Sequence, residues 1–139
     1  MEQMRFFQDQ NKQLLLGLSP TAGEGLSAVE AGVVDAAVEK HIPVVGFVDD
    51  QLEVRVGSVT HPMQPEHYIE WIFVQTATGG QLRTLSPGDA PSARFPIAQS
   101  EIVGVWAYCN LHGLWKADES SFTYLEEMVC SPEFPEGCK

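Results

Sequence analysis

Five residues carry the types and spacings for metal chemistry: His41, His61, His67, Cys109 and His112. Cys109 and His112 stand in C-x2-H spacing, so one tight loop can bring a thiolate and an imidazole to the same ion. His61 and His67 are separated by a stretch holding Pro62 and Pro65. Prolines fix φ and deny helix, so these two histidines belong to a stiff loop, which favours a preformed site. A single histidine is most often a surface or hydrogen-bonded core residue. Four of them at loop edges, one within C-x2-H, argue instead for a transition-metal centre. Several imidazoles with one thiolate suit iron, copper or zinc, and do not suit magnesium or calcium.

The whole chain narrows the setting of that centre. Its 139 residues amount to one domain of ordinary size and a little more. Hydrophobic residues make up 44 %, enough for a core, and charged residues only 19 %. The formal net charge of −11 argues against nucleic acid or an anionic membrane as the main partner, since both demand clustered Lys and Arg. A small anionic substrate would therefore need a local cation to draw it in. The opening MEQMRFFQDQNK lacks the cationic flank, apolar stretch and small-residue cleavage site of a secretory signal. No apolar run reaches the roughly 18 residues that span a bilayer. Cytoplasmic residence is the expectation. Three cysteines, an odd number, do not describe a disulfide scaffold.

The elements that must hold the five residues read as β-structure. Residues 1–36 contain the apolar Leu14-Leu15-Leu16-Gly17-Leu18 and a Pro/Gly-rich SPTAGEG, and are too few to fold alone. SAVEAGVVDAAVEK has some helical character, weakened by Gly32 and by Val33-Val34. From His41 a β-branched run extends to Val48 and closes at Asp49-Asp50. Leu52, Val54 and Val56 alternate with Glu53 and Arg55, the period of a half-buried strand. Tyr68 to Gln75 reads as another strand, and Gly79-Gly80 as a hairpin turn before a strand from Gln81. Pro87-Gly88-Asp89-Ala90-Pro91 is a turn cluster. Ile102 to Tyr108 reads as a strand running into Cys109, and Ser121 to Leu125 as one more. Short strands at this spacing predict an all-β protein, an antiparallel β-sandwich.

Five blocks resemble the superoxide reductase family, which includes desulfoferrodoxin and neelaredoxin. They are Glu39-Lys40-His41-Ile-Pro-Val-Val, Val56-Gly-Ser-Val-Thr-His61-Pro-Met, Glu66-His67-Tyr-Ile-Glu-Trp71, Pro87-Gly-Asp-Ala-Pro91 and Tyr108-Cys109-Asn-Leu-His112-Gly-Leu-Trp-Lys116. They occur in order over about residues 35–116. The resemblance implies an immunoglobulin-like sandwich with one Fe(2+)/Fe(3+) per chain. Its equatorial ligands would be His41, His61, His67 and His112, its axial ligand Cys109, and its sixth position open. The implied reaction is one-electron reduction of superoxide to hydrogen peroxide, with the trans thiolate pushing electron density onto the metal. The backbone N–H groups of Leu111 and His112 are placed to tune the sulfur. Lys40 resembles the family cation that attracts superoxide and helps to deliver a proton, and Glu39 the carboxylate that can take the sixth position once iron is ferric. Trp71, Trp106 and Trp115 read as core or site-wall residues, and Met63 as a packing residue.

The chain also departs from the family. Two-iron members carry four cysteines in an N-terminal rubredoxin-like centre, and residues 1–36 here hold none. The expectation is a small metal-free β domain at 1–36, retained for packing at a homodimer interface. The iron domain then covers 37–139, with an acidic extension from about 117. Electrons would arrive from an outside carrier, rubredoxin or similar. Cys130 and Cys138 lie outside the family core and read either as a reducible pair or as free thiols. The main alternative reading is a cupredoxin-like electron-transfer protein. Against it, blue-copper sites want two histidines and usually a Met close after the last, whereas no Met follows His112 until Met128.

Overall fold

The computed structural model describes residues 4–18, 23–33 and 36–117. The sequence expectations for Ser121–Leu125, Cys130 and Cys138 fall outside them. Within the described residues the chain is all-β apart from one turn of α-helix and one of 3-10 helix. Strands β1 (Arg5–Gln8), β2 (Leu14–Gly17) and β3 (Ser27–Val29) form a small antiparallel sheet in the order β2-β1-β3. Helix α1 (Val38–His41) leads into β4 (Pro43–Val48), β5 (Gln51–Val56), β6 (Ile69–Thr76), β7 (Gly79–Thr84), β8 (Ser92–Phe95), β9 (Ile102–Cys109) and β10 (Gly113–Lys116). These strands make two sheets, β10-β9-β6-β7 and β4-β5-β8, with antiparallel pairing throughout.

The two sheets close on one apolar core. Val45, Leu52, Val54, Val56 and Phe95 from one sheet meet Ile72, Val74, Val105, Ala107 and Cys109 from the other. Strands β6 and β9 are buried on both faces, because Phe6 of the small sheet packs on Phe73, Trp106 and Leu114 behind them. Phe6 also stacks on Trp71, centroids 5.8 Å apart. A side-chain carbonyl of Gln75 accepts the N–H of Met4 at 2.7 Å and fixes where the chain enters. The small sheet therefore caps an apolar face that would otherwise meet water.

Several sequence expectations are corrected here. Among the described residues of 27–40 the helical character does not extend through the stretch: residues 27–29 pair as β3, and the helix there is Val38–His41. That helix stops after one turn because Ile42 precedes Pro43, and a residue before proline is driven out of the α region; Ile42 sits at φ −74, ψ 125. His41 thus ends a helical turn instead of opening the strand. Pro43 is tolerated as the first residue of edge strand β4. Asp49 and Asp50 both take positive φ, 52 and 65, and form the two-residue connection of the β4–β5 hairpin. The β6–β7 hairpin is where the sequence placed it, but its turn is Ala77-Thr78. Gly79 and Gly80 pair with Thr76 and Gln75 inside the ladder. A Cβ at Gly80 would overlap the Phe73 ring, so the glycine serves packing and not the turn.

Candidate metal centre

All five candidate residues collect at one end of the sandwich. His41 stands before β4, His61 and His67 in the loop from β5 to β6, Cys109 at the last position of β9, and His112 in the turn to β10. A bulge at Glu70 sets the phase. Ile69 pairs with Cys109 and Trp71 with Tyr108, so β6 carries one extra residue there. Ile69 and Cys109 then both face the core, while Trp71 and Tyr108 stack outside it at 5.6 Å and 9°.

One ligand-type atom from each of His41, His61, His67 and Cys109 lies within 4.8 Å of every other. His112 completes the group: its Nδ1 is 3.2 Å from His41 Nε2 and 4.0 Å from Cys109 Sγ. The four imidazoles stand as a square. Neighbouring rings are near-perpendicular, with centroids 4.7 Å (41–61), 4.7 Å (61–67), 5.1 Å (67–112) and 5.0 Å (112–41) apart. The pair 41–67 lies across the square at 6.3 Å. His61 Nε2 and His41 Nε2 are 3.2 Å apart. Two nitrogens bound at right angles to one ion, each about 2.1 Å from it, would stand about 3 Å apart.

Two rings are anchored by their outer nitrogen. His41 Nδ1 is 2.6 Å from the Ala37 carbonyl and His61 Nδ1 is 2.7 Å from the Pro62 carbonyl. A carbonyl only accepts, so each Nδ1 carries the proton and each Nε2 offers its lone pair inward. His67 Nε2 is buried with no hydrogen-bond partner among the described residues. A buried unpartnered nitrogen aimed at three other donors is what a metal would satisfy. The donor set fits a transition metal such as iron.

The electrostatics keep these ligands ready. Burial pushes the His41 and His67 pKa values below the ordinary imidazole value and takes His61 down to about 4, with the neighbouring histidines adding to the effect. The rings are therefore neutral at pH 7. Burial raises the Cys109 thiol, opposed by hydrogen bonds from the backbone N–H groups of His112 and Leu111, the two donors expected from sequence. Lys40 is exposed on α1, and its charge acts on both His41 and His67. Glu39 is exposed, and its backbone carbonyl accepts Val59 N–H at 2.9 Å and Ser58 Oγ–H at 3.3 Å. A Cβ at Gly57 would overlap the Glu39 carbonyl and the Lys40 backbone, so a glycine is required for this loop to lie against α1.

Trp115 is the site-wall residue the sequence suggested, but its partners, like the other supports of the square, carry no sequence signal. Trp115, 2 % exposed, stacks on His41 at 4.8 Å and donates its indole N–H to the His112 carbonyl at 3.0 Å, touching two histidines at once. Met63 packs against the core as expected, and its sulfur also accepts Ile69 N–H at 3.3 Å. Glu66 brings a negative charge to His67. The carbonyls of Ala37 and Pro62 carry no sequence signal, because every residue has one.

An antiparallel β-sandwich with four imidazoles and a buried cysteine sulfur converging at one end is the architecture of a transition-metal site. Residues 33–118 match the desulfoferrodoxin family model. The chain belongs to the desulfoferrodoxin family. It is 44 % identical over 103 residues to the desulfoferrodoxin of Clostridium acetobutylicum, covering 73 % of this chain and 81 % of that one. It is 35 % identical over 96 residues to the superoxide reductase of Pyrococcus horikoshii, covering 56 % and 84 %. Among solved structures, the superoxide reductase of Treponema pallidum superposes with a TM-score of 0.71 at 41 % identity, over 84 % of this chain and all of that one. Among the described residues no helix is long and apolar enough to cross a membrane.

Proposed function

We propose that the protein is a superoxide reductase: it reduces superoxide to hydrogen peroxide at one iron held by His41, His61, His67, His112 and Cys109. The observation that carries this reading is the square of four imidazoles with a buried cysteine sulfur beside it. Bound iron would supply the single electron and an open position for a small anion. The chain's residues do the rest. Neutral imidazoles add no negative charge at the place where an anion must arrive. Cys109 would hold the metal as a thiolate, and its two backbone N–H hydrogen bonds would tune how much electron density it gives. Lys40 offsets the repulsion expected from a net charge of −11 and draws superoxide in. Superoxide takes one electron and two protons to become hydrogen peroxide, and Lys40 helps to deliver a proton through water. Glu39, exposed on α1 beside Lys40, is the carboxylate that would be available to an oxidised metal.

With no cysteine before Cys109, the chain carries one iron, and a rubredoxin-like carrier reduces it directly. Residues 1–36 form a metal-free packing domain and 37–139 the iron domain. The protein acts in the cytoplasm as a homodimer. The apolar groove lined by Phe6, Leu14, Leu16, Trp71, Phe73 and Leu82, of about 240 Å³, is consistent with such pairing. A cupredoxin-like copper site would need only half the histidines gathered here.

Metal analysis combined with rapid mixing tests the proposal. The expected result is about one iron per chain, a thiolate-to-iron absorption band on oxidation, and second-order consumption of superoxide by the reduced protein with hydrogen peroxide as product. Copper in place of iron, or reduced iron protein indifferent to superoxide, refutes it.

A further inference from the structure

Of the four histidines, His67 is the one whose ring has no hydrogen bond of its own among the described residues. His41 and His61 are each held by a backbone carbonyl at the outer nitrogen, and the turn bearing His112 is held by the Trp115 indole. With no hydrogen bond to steer it, the His67 ring depends on the backbone that carries it as well as on the imidazoles it packs against. That backbone is gripped from two sides. On one side, Gln64 and His67 exchange both main-chain hydrogen bonds at 2.9 Å. On the other side stands Asn110, the residue after the axial cysteine. Its Oδ1 accepts Tyr68 N–H at 2.9 Å, its Nδ2 donates to the Glu66 carbonyl at 3.2 Å, and its own N–H donates to the Tyr68 carbonyl at 3.1 Å. One carboxamide therefore ties down both neighbours of His67 and joins them to the loop that carries Cys109 and His112.

We infer that Asn110 is a positioning residue of the metal centre, acting through His67: it sets the ring direction that no bond to the ring itself sets. The inference rests on the metal-site reading above and is independent of superoxide as substrate. An Asn offers both a donor and an acceptor on one short planar group. Asp keeps the acceptor for Tyr68 and loses the donor for Glu66, while Ala loses both. Outer partners that orient ligands are worth about 10- to 100-fold in metal affinity.

The test is a double-mutant cycle in cobalt(II) affinity, measured by chelator competition on the metal-free full chain, with the thiolate-to-cobalt band as readout. The four proteins are wild type, Asn110→Ala, His67→Ala and the double variant. Asn110→Ala is expected to weaken cobalt binding about 10- to 100-fold in the wild-type background and to change it less than about twofold once His67 is gone. Asn110→Asp, the milder variant, should fall between wild type and Asn110→Ala. Equal losses in both backgrounds would overturn the inference, because Asn110 would then act on the fold or on Cys109 and not through His67. An Asn110→Asp protein as weak as Asn110→Ala would also overturn it, since the Tyr68 bond would then count for nothing. A wild-type protein that binds cobalt and shows this coupling, yet ignores superoxide as the iron form, would sink the proposed reaction and leave the role of Asn110 standing.

Discussion

Titration of His61 should make the metal-free protein lose stability in mildly acidic solution, by an amount that follows from its burial. The ring is 1 % exposed, and burial takes its pKa from 6.5 to about 4. The unfolded chain therefore binds a proton at this residue as pH falls below about 6.5, while the folded chain resists until about pH 4. Stability from this residue is complete above pH 6.5 and is lost progressively as pH falls from there to 4. At 1.36 kcal/mol for each pH unit of displacement, the loss approaches about 3 kcal/mol. That is a large part of the 5–15 kcal/mol of a typical domain. Carboxylates also titrate near the lower limit, so the comparison must be differential. Urea unfolding of metal-free wild type and His61→Gln at intervals from pH 7.5 to 4 gives the stability difference at each pH. The wild-type protein should lose about 3 kcal/mol relative to the variant across that range. A difference constant to within about 1 kcal/mol would refute the argument that the folded site keeps His61 neutral.

Other perturbations have equally direct outcomes. Lys40→Ala should slow the bimolecular reaction of the reduced iron protein with superoxide about tenfold, and leave a rate less sensitive to ionic strength, as stopped-flow mixing over a salt series would show. Cys109→Ser should remove the thiolate-to-metal charge-transfer colour of the oxidised protein, read by absorption spectroscopy. Trp115→Phe keeps a ring against His41 but leaves the His112 carbonyl without its indole donor, and should cost about 1 kcal/mol in urea unfolding of the metal-free protein. Trp115→Ala should cost about 3–5 kcal/mol, because it also opens a cavity beneath His41.

What could be read in the sequence was what repeats locally. The alternation of Leu52, Val54 and Val56 is strand β5, and the apolar runs at 69–76 and 102–109 are β6 and β9. Both of those runs are buried on two faces, which is why they read as continuous and not alternating. Short β8 and β10 carry too few residues for a period, and they exist because β5 and β9 offer them unpaired edges. Residues 27–29 became a strand because β1 was there to pair with them, an outcome decided by tertiary contact over local preference. The five converging residues were legible because their types are scarce and their chemistry specific. Most of the contacts that hold them were not. The partners of Asn110 lie 42 and 44 positions earlier in the chain, and nothing local to Cys109-Asn110-Leu111-His112 announces such a reach.

The convergence of three chain segments at one end of the sandwich has a mechanical consequence. His41 precedes β4, His61 and His67 link β5 to β6, and Cys109 with His112 link β9 to β10, so an ion seated among them rivets the two sheets together at that end alone. The hairpin connections at Asp49-Asp50 and Ala77-Thr78 lie at the other end of the same strands and gain nothing directly from the rivet. Opening of the loaded molecule should therefore begin at those hairpins and travel toward the metal. Stripping the ion would release the other end as well. Amide hydrogen exchange at the ends of β4, β6 and β9 would then become more alike, and the protein would lose its built-in order of unzipping.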